Sequence, residues 1–218
     1  LDAGALPGGQ GGAEMKPSEI IATARLIVLD VVDNVTAPRQ SDTELLGYVN
    51  DGVKEICTFK PMVFATVAAL ACTPGRADQT LTFANAVMLL DVLRVTNGAA
   101  LTKFDRPTLD LFSPAWRSDA AGPALQWSAL EGDLLSFFIY PQAPAAQSLD
   151  VRYVRNPAVY LLADDMVAVP DVMGPALVDY VVYRAESKDD ENVSSARAVA
   201  HFAAFKQKIG VANAATVQ

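Results

Sequence analysis

Between Asp171 and Gly210 the chain carries two apolar stripes at helical spacing, and two such helices cannot bury both stripes against each other alone. In the first, Leu177, Tyr180, Val181, Arg184 and Ala185 recur at i, i+3, i+4, i+7 and i+8, the period of one helix face. In the second, Ala198, Phe202, Phe205 and Ile209 repeat the pattern after a polar break at Lys188-Asp189-Asp190. A helical hairpin of this kind needs covering helices from elsewhere in the chain. The bulky stripe makes Tyr180, Tyr183 and Arg184 the expected packing residues on this side.

The covering helices are expected in the N-terminal third. After Pro17 and Ser18, the residues Ile20, Ala24, Ile27, Val28 and Val31 share one face, which predicts a helix to about Asp33. Asn34 to Gln40, with Pro38, reads as a connector. Ser41-Asp42-Thr43-Glu44 has the form of a capping box, in which the Ser41 hydroxyl and the Glu44 carboxylate satisfy each other's backbone amides. The helix behind it turns Leu45, Val49, Val53 and Ile56 inward and stops before Pro61.

From Met62 to Val169 the period shortens. Phe64–Ala71, 79–83, 89–96, 124–130, 134–140 and 149–154 are short and rich in β-branched or aromatic residues. Turn signals bound them: Thr73-Pro74-Gly75, Asn97-Gly98, Glu131-Gly132-Asp133 and Pro141 to Pro144. Glu131-Gly132-Asp133 reads as a hairpin turn, and Arg106 to Trp116 as a short helix or turn between prolines. The expected fold class is α+β. A helical bundle is formed by residues 15–61 and 171–210, and an antiparallel β domain, residues 62–170, is inserted between the two helix pairs. Residues 1–14 read as a Gly- and Ala-rich N-terminal arm, expected to order only against a neighbouring chain, or else as a mis-set start or an expression scar, and residues 211–218 read as a C-terminal tail.

Composition excludes several classes. The chain has 218 residues, 51% of them hydrophobic, with much of that count being alanine. Its most apolar stretch, Ile20 to Val32, is cut by Arg25 and Asp30, so no membrane span and no signal peptide are expected. Cys57 and Cys72 lack metal-site spacing, and a single histidine argues against a zinc site. Both thiols are expected to be reduced. A net charge of −8 without a basic cluster argues against wrapping nucleic acid.

No catalytic constellation emerges either. His201, among Val199, Ala200 and Phe202, lacks a GxSxG, CGxC or HExxH context and reads as a packing or interface residue. Asp164-Asp165 and Lys188-Asp189-Asp190-Glu191 lack EF-hand spacing and read as a turn and a helix start. Gly8 to Gly12 follows no strand, so it is no phosphate loop. Trp116, Trp127 and Phe137-Phe138-Ile139-Tyr140 read as core. No enzymatic activity, metal or cofactor is expected.

Several strings, in order, resemble the tailed-bacteriophage head-to-tail adaptors, the group of podoviral gatekeepers similar to tail tubular protein A. They are Ser41-Asp42-Thr43-Glu44-Leu45-Leu46-Gly47-Tyr48-Val49-Asn50-Asp51-Gly52 with Glu55 and Lys60-Pro61; Leu89-Leu90-Asp91-Val92; Pro114-Ala115-Trp116; Phe138-Ile139-Tyr140-Pro141; and the run from Leu177 to Asp189. The sequence departs where relatives tend to carry a tryptophan, having Tyr48, and it has no aromatic just before Ser41. The resemblance implies a helical bundle with an inserted β domain and a dodecameric ring beneath a portal protein, joined to a tail or nozzle protein, within the virion. It also implies that terminal arms contact the portal, here Leu1 to Glu14 and Val211, Ala212, Asn213, Ala214, Ala215, Thr216, Val217 and Gln218. Genomic double-stranded DNA is expected to pass through such a ring without specific binding. The candidate channel-lining carboxylates are Asp105, Asp110 and Glu131. The alternatives are another neck or tail component, such as a tail completion protein, or a cytosolic enzyme or ligand-binding module.

Overall fold

A computed structural model describes residues 15–30, 38–188 and 195–211. They divide into two compact units, one formed by Leu1–Val63 with Pro157–Gln218 and the other by Phe64–Asn156.

In the first unit, α1 (Pro17–Val28) starts where Pro17 presets the helical φ and the Glu19 carboxylate accepts the Lys16 amide at 3.1 Å. It ends earlier than its periodicity predicts. Leu29 is left-handed at φ 56°, and its N–H closes onto the Arg25 carbonyl. Asp30 is then captured by the Arg25 guanidinium at 2.8 Å and accepts the amides of Arg39 and Gln40 at 2.6 and 3.2 Å. A buried ion pair therefore turns the chain where the apolar pattern alone would carry it on to Asp33. Val31 lies outside the described residues.

Helix α2 (Asp42–Phe59) begins with the expected cap, the Ser41 hydroxyl accepting the Glu44 amide at 3.1 Å. The reciprocal half is replaced. The Glu44 carboxylate accepts instead from the Tyr48 hydroxyl and the Lys188 ammonium, each at 2.9 Å. Helix α4 (Gly174–Glu186) is central: α1, α2 and α5 (Ser195–Lys208) all pack on it. It accordingly buries Ala176, Leu177, Tyr180, Val181, Val182 and Ala185, more than one stripe. Leu45, Val49, Val53 and Ile56 of α2 are buried, as are Ala198 and Phe205 of α5 and Ile209 just beyond it. At Gly52 the second helix packs tightly on the fourth: a Cβ there would meet Tyr180 Cδ1 at 2.9 Å.

The stretch 157–170, expected with the β domain, belongs to the helical unit. Ser18 donates its amide to Leu162 at 3.2 Å, and Met166 donates to Met15 at 3.0 Å. The Asn50 side chain pairs with the Tyr160 backbone in both directions, at 3.1 and 2.8 Å, like a peptide group. Backbone pairing and the Asn50 amide hold this loop together with the buried Tyr160, Met166 and Val169, which follow no regular period.

The second unit contains two sheets. The first has the order β1 (Ala65–Ala71), β7 (Ser148–Arg155), β3 (Ala86–Val95), all antiparallel. The second has the order β2 (Asp78–Thr80), β6 (Ser136–Tyr140), β5 (Gln126–Ala129), β4 (Thr102–Lys103). Leu70, Val92, Trp127, Phe137, Ile139, Leu149 and Val151 make one continuous core. The β5–β6 hairpin turns at Gly132 with φ 81°, a conformation suited to glycine. One ladder departs from the expected antiparallel domain: the two-residue β4 runs parallel to β5. That pairing follows a crossover through α3 (Arg106–Phe112) and Trp116, a connection that places the next strand alongside the first in the same sense.

Candidate functional site

The aromatic stripe of α4 sits at the junction of α2, α4 and α5. Tyr180 is buried, with Tyr183 edge-on at 5.7 Å and Phe205 at 5.1 Å, and Tyr183 lies over Phe202 at 4.7 Å. Burial pushes the Tyr180 phenol up from its ordinary pKa. Arg184 extends from the same helix to Asp51 at 3.3 Å, and its guanidinium stacks 5.0 Å from the Tyr48 ring. Both positions at which the sequence departs from the adaptor pattern touch this region. Gln40, immediately before Ser41, is buried and donates to the Ala185 carbonyl at 3.2 Å. Tyr48 is hydrogen-bonded to Glu44; burial, followed by that bond, pushes its hydroxyl up to about 12. Lys188, aided by Tyr48, holds the Glu44 carboxyl below its usual range.

Two carboxylates of α4 are almost fully buried and point at α5. Asp179 lies 2.9 Å from His201 Nδ1 and 2.5 Å from Lys208 Nζ, and Glu186 lies 3.1 Å from Arg197. The sequence stripe missed both, since a carboxylate between apolar positions ordinarily faces water. The i, i+7 spacing of Asp179 and Glu186 was the available signal. His201 thus joins the two helices. The contact that orients this imidazole is the one from Nδ1 to Asp179.

Beside this pair lies a cleft of about 360 Å³ lined by Met15, Ile20, Ile27, Pro175 and Val178 together with Asp179 and Lys208. Among the described residues no group of His, Cys, Asp and Glu is placed to hold a metal, and no helix is long and apolar enough to cross a membrane. Cys57 and Cys72 are buried free thiols, one in each unit, and burial raises the pKa of both.

The three carboxylates expected to line a channel all lie on the β unit, in different roles. Asp105 caps α3, accepting from the Thr108 amide at 3.1 Å. Asp110 accepts from the Trp116 indole at 2.7 Å and lies 3.5 Å from Arg117. Glu131 is exposed on the hairpin turn. Residues 64–156 contain seven Arg and Lys against eight Asp and Glu, so a net −7 of the chain's −8 belongs to the helical unit. Of the expected portal-contacting residues, Val211 is half-buried, and residues 1–14 and 212–218 lie outside the described residues.

A sequence model of the SU10 adaptor protein family matches residues 15–218. The chain belongs to this family. The adaptor identity agrees with the resemblance carried by the Ser41–Gly52 and Leu177–Asp189 strings. No curated protein matches this adaptor. Among solved structures, it is similar to a chain in the neck of an empty gene transfer agent particle computed with C6 symmetry, at 15% identity and TM-score 0.33, covering 89% of this chain and 91% of that one. A chain in the virion of a native gene transfer agent particle matches at 16% identity and TM-score 0.29, covering 94% and 93%.

Proposed function

We propose that this adaptor is a structural ring subunit of a phage neck, joining the portal to the tail or nozzle and forming part of the passage for double-stranded DNA. The observation that carries this reading is the family match, which runs through both helix pairs and the β unit. The helical unit supplies a stiff body: α4 is enclosed by three helices and clipped to α5 by two buried carboxylates. The portal contact is assigned to the terminal segments, 1–14 and 211–218, which can wrap a partner without adding a domain. Copies close a ring, dodecameric by the resemblance, through heterologous contacts between neighbours.

The charge of −8 per copy, −7 of it on the helical unit, gives such a ring a field that repels phosphate, favouring sliding over fixed binding. Asp105, Asp110 and Glu131 are the proposed lining groups, of which Asp105 and Glu131 are exposed and Asp110 is partly buried. The reading places the protein in the virion and gives it no catalytic task.

The experiment is reconstitution of the neck with purified portal protein. The full adaptor is expected to give a ring seated on the portal in electron micrographs, and deletion of residues 211–218 is expected to leave the fold intact while abolishing joining. Absence of any portal complex with the full chain overturns the reading, and normal joining by the deletion removes the C-terminal segment from it.

A further inference from the structure

The first sheet of the β unit has one covered edge and one open edge. On the β3 side, Leu89 donates to Leu134 at 2.7 Å, Leu101 to Leu93 at 3.0 Å and Val95 to Ala99 at 2.9 Å, so flanking chain follows that edge. On the other side β1 pairs with β7 alone. Cys72 donates to Gln147 at 2.9 Å in continuation of the ladder, which makes the even-numbered residues of β1 the ones bonded to β7. The amides and carbonyls of Ala65, Val67, Ala69 and Ala71 therefore point outward, with no hydrogen-bond partner among the described residues.

Protein edge strands ordinarily carry a lysine, a proline or a bulge, or are very short. Those of the second sheet follow this rule: β4 has two residues and contains Lys103, and β2 has three and carries the Arg76–Asp78 ion pair. The seven residues of β1, Ala-Thr-Val-Ala-Ala-Leu-Ala, carry none of these devices.

We propose that β1 is a pairing edge for a second copy of this chain, the two β1 strands meeting antiparallel about Ala68 to make one continuous six-stranded sheet. The sequence is self-complementary in that register. Val67 faces the partner's Ala69, Thr66 faces Leu70, and Ala65 faces Ala71, so no charge is buried at the seam and small side chains meet on the open face. In the neighbouring strand Arg152 lies beside Val67 and Asp150 beside Ala69, so each cross-strand row carries an arginine in one copy and, in the other, an aspartate held by Arg94 and Thr96, with no like charges in the row. A two-fold contact of this kind cannot close a ring, whose contacts are heterologous. The pair is thus a form of the free subunit, in which β1 is covered before the neck assembles.

The test is the mass of the purified full chain in solution as a function of concentration. Wild type is expected to reach twice 23.1 kDa as concentration rises. The double variant Val67→Lys/Ala69→Lys sets like charges face to face and is expected to remain monomeric. Val67→Lys/Ala69→Glu sets opposite charges across the same seam and is expected to restore the pair. Circular dichroism shows whether the variants fold. In the wild type, the Val67 and Ala69 amides are expected to gain hydrogen-exchange protection with concentration, a readout that needs no variant. A monomer at every concentration, a dimer indifferent to the paired lysines, or exchange at these amides independent of concentration overturns the proposal.

Discussion

Replacing Gly52 with alanine sets two known effects against each other at one atom. In a helix interior the change ordinarily stabilises by about 1 kcal/mol. Here the new Cβ would stand 2.9 Å from Tyr180 Cδ1, 3.0 Å from Leu177 Cδ2 and 3.2 Å from Tyr180 Cγ. The ring cannot simply step aside, because Tyr183 and Phe205 lie against it at 5.7 and 5.1 Å. Overpacking a filled core costs about 1 to 3 kcal/mol, so the balance is a net loss of about 1 kcal/mol. The same helix contains its own control. At Gly47 a Cβ would meet nothing within 4 Å, and alanine there is expected to deliver the full gain of about 1 kcal/mol. At about 2 to 4 °C per kcal/mol for a chain of this size, Gly52→Ala is expected to lower the thermal midpoint and Gly47→Ala to raise it. Helix circular dichroism on heating measures both. A rise for Gly52→Ala equal to that for Gly47→Ala would refute the close packing of α2 on α4.

Tyr180→Ala is expected to destabilise the helical unit by about 3 to 5 kcal/mol, read as an early loss of helix signal; an unchanged midpoint refutes the packing role. Arg25→Met leaves the buried Asp30 without its guanidinium and is expected to cost about 3 to 5 kcal/mol, measured by urea unfolding. Tyr48 has a hydroxyl raised to about 12 in the folded chain against about 10 when unfolded. The folded form therefore holds its proton longer, and this contribution to stability, full below pH 10, is lost as pH rises from 10 to 12. Tyr48→Phe is expected to flatten that part of a stability-against-pH curve. The isolated protein is expected to show no duplex DNA binding at physiological salt, and tight, salt-sensitive binding in a filter or anisotropy assay would refute the repelling passage.

The helical frame was legible because its stripes are long and regular, and Ser41 announced α2 by a hydroxyl at the right spacing. What escaped was decided by single polar contacts. The end of α1 depends on Leu29 entering a left-handed conformation with Asp30 held by Arg25, which no glycine advertises. The loop 157–170 is tied to the helices by Asn50, which imitates a peptide group, and by the burial of Tyr160, Met166 and Val169, whose spacing shows no period. Asp179 and Glu186 look like solvent-facing residues until α5 brings Arg197, His201 and Lys208 to them. The parallel β4 is two residues long, too short for any period to show. At the candidate site, the aromatic stripe was readable from Tyr180, Tyr183 and Arg184, whereas its partners Tyr48 and Asp51 lie about 130 positions away and only folding joins them.

The helical unit is assembled from segments that leave the ribosome at different times. Helices α1 and α2 emerge first, and α4 begins about 115 residues after α2 ends, an interval on the order of ten seconds at ordinary rates of synthesis. Throughout that interval Leu45, Val49, Val53 and Ile56 have no α4 to cover them, and by its end every strand of the β unit has been made. The order of translation thus favours a nascent chain whose middle is folded and whose beginning is still exposed, a natural client for a chaperone. Slow codons or a pause within the first half of α4 would lengthen that exposure, and the cost would appear as aggregated nascent chain rather than as any loss of stability in the finished subunit.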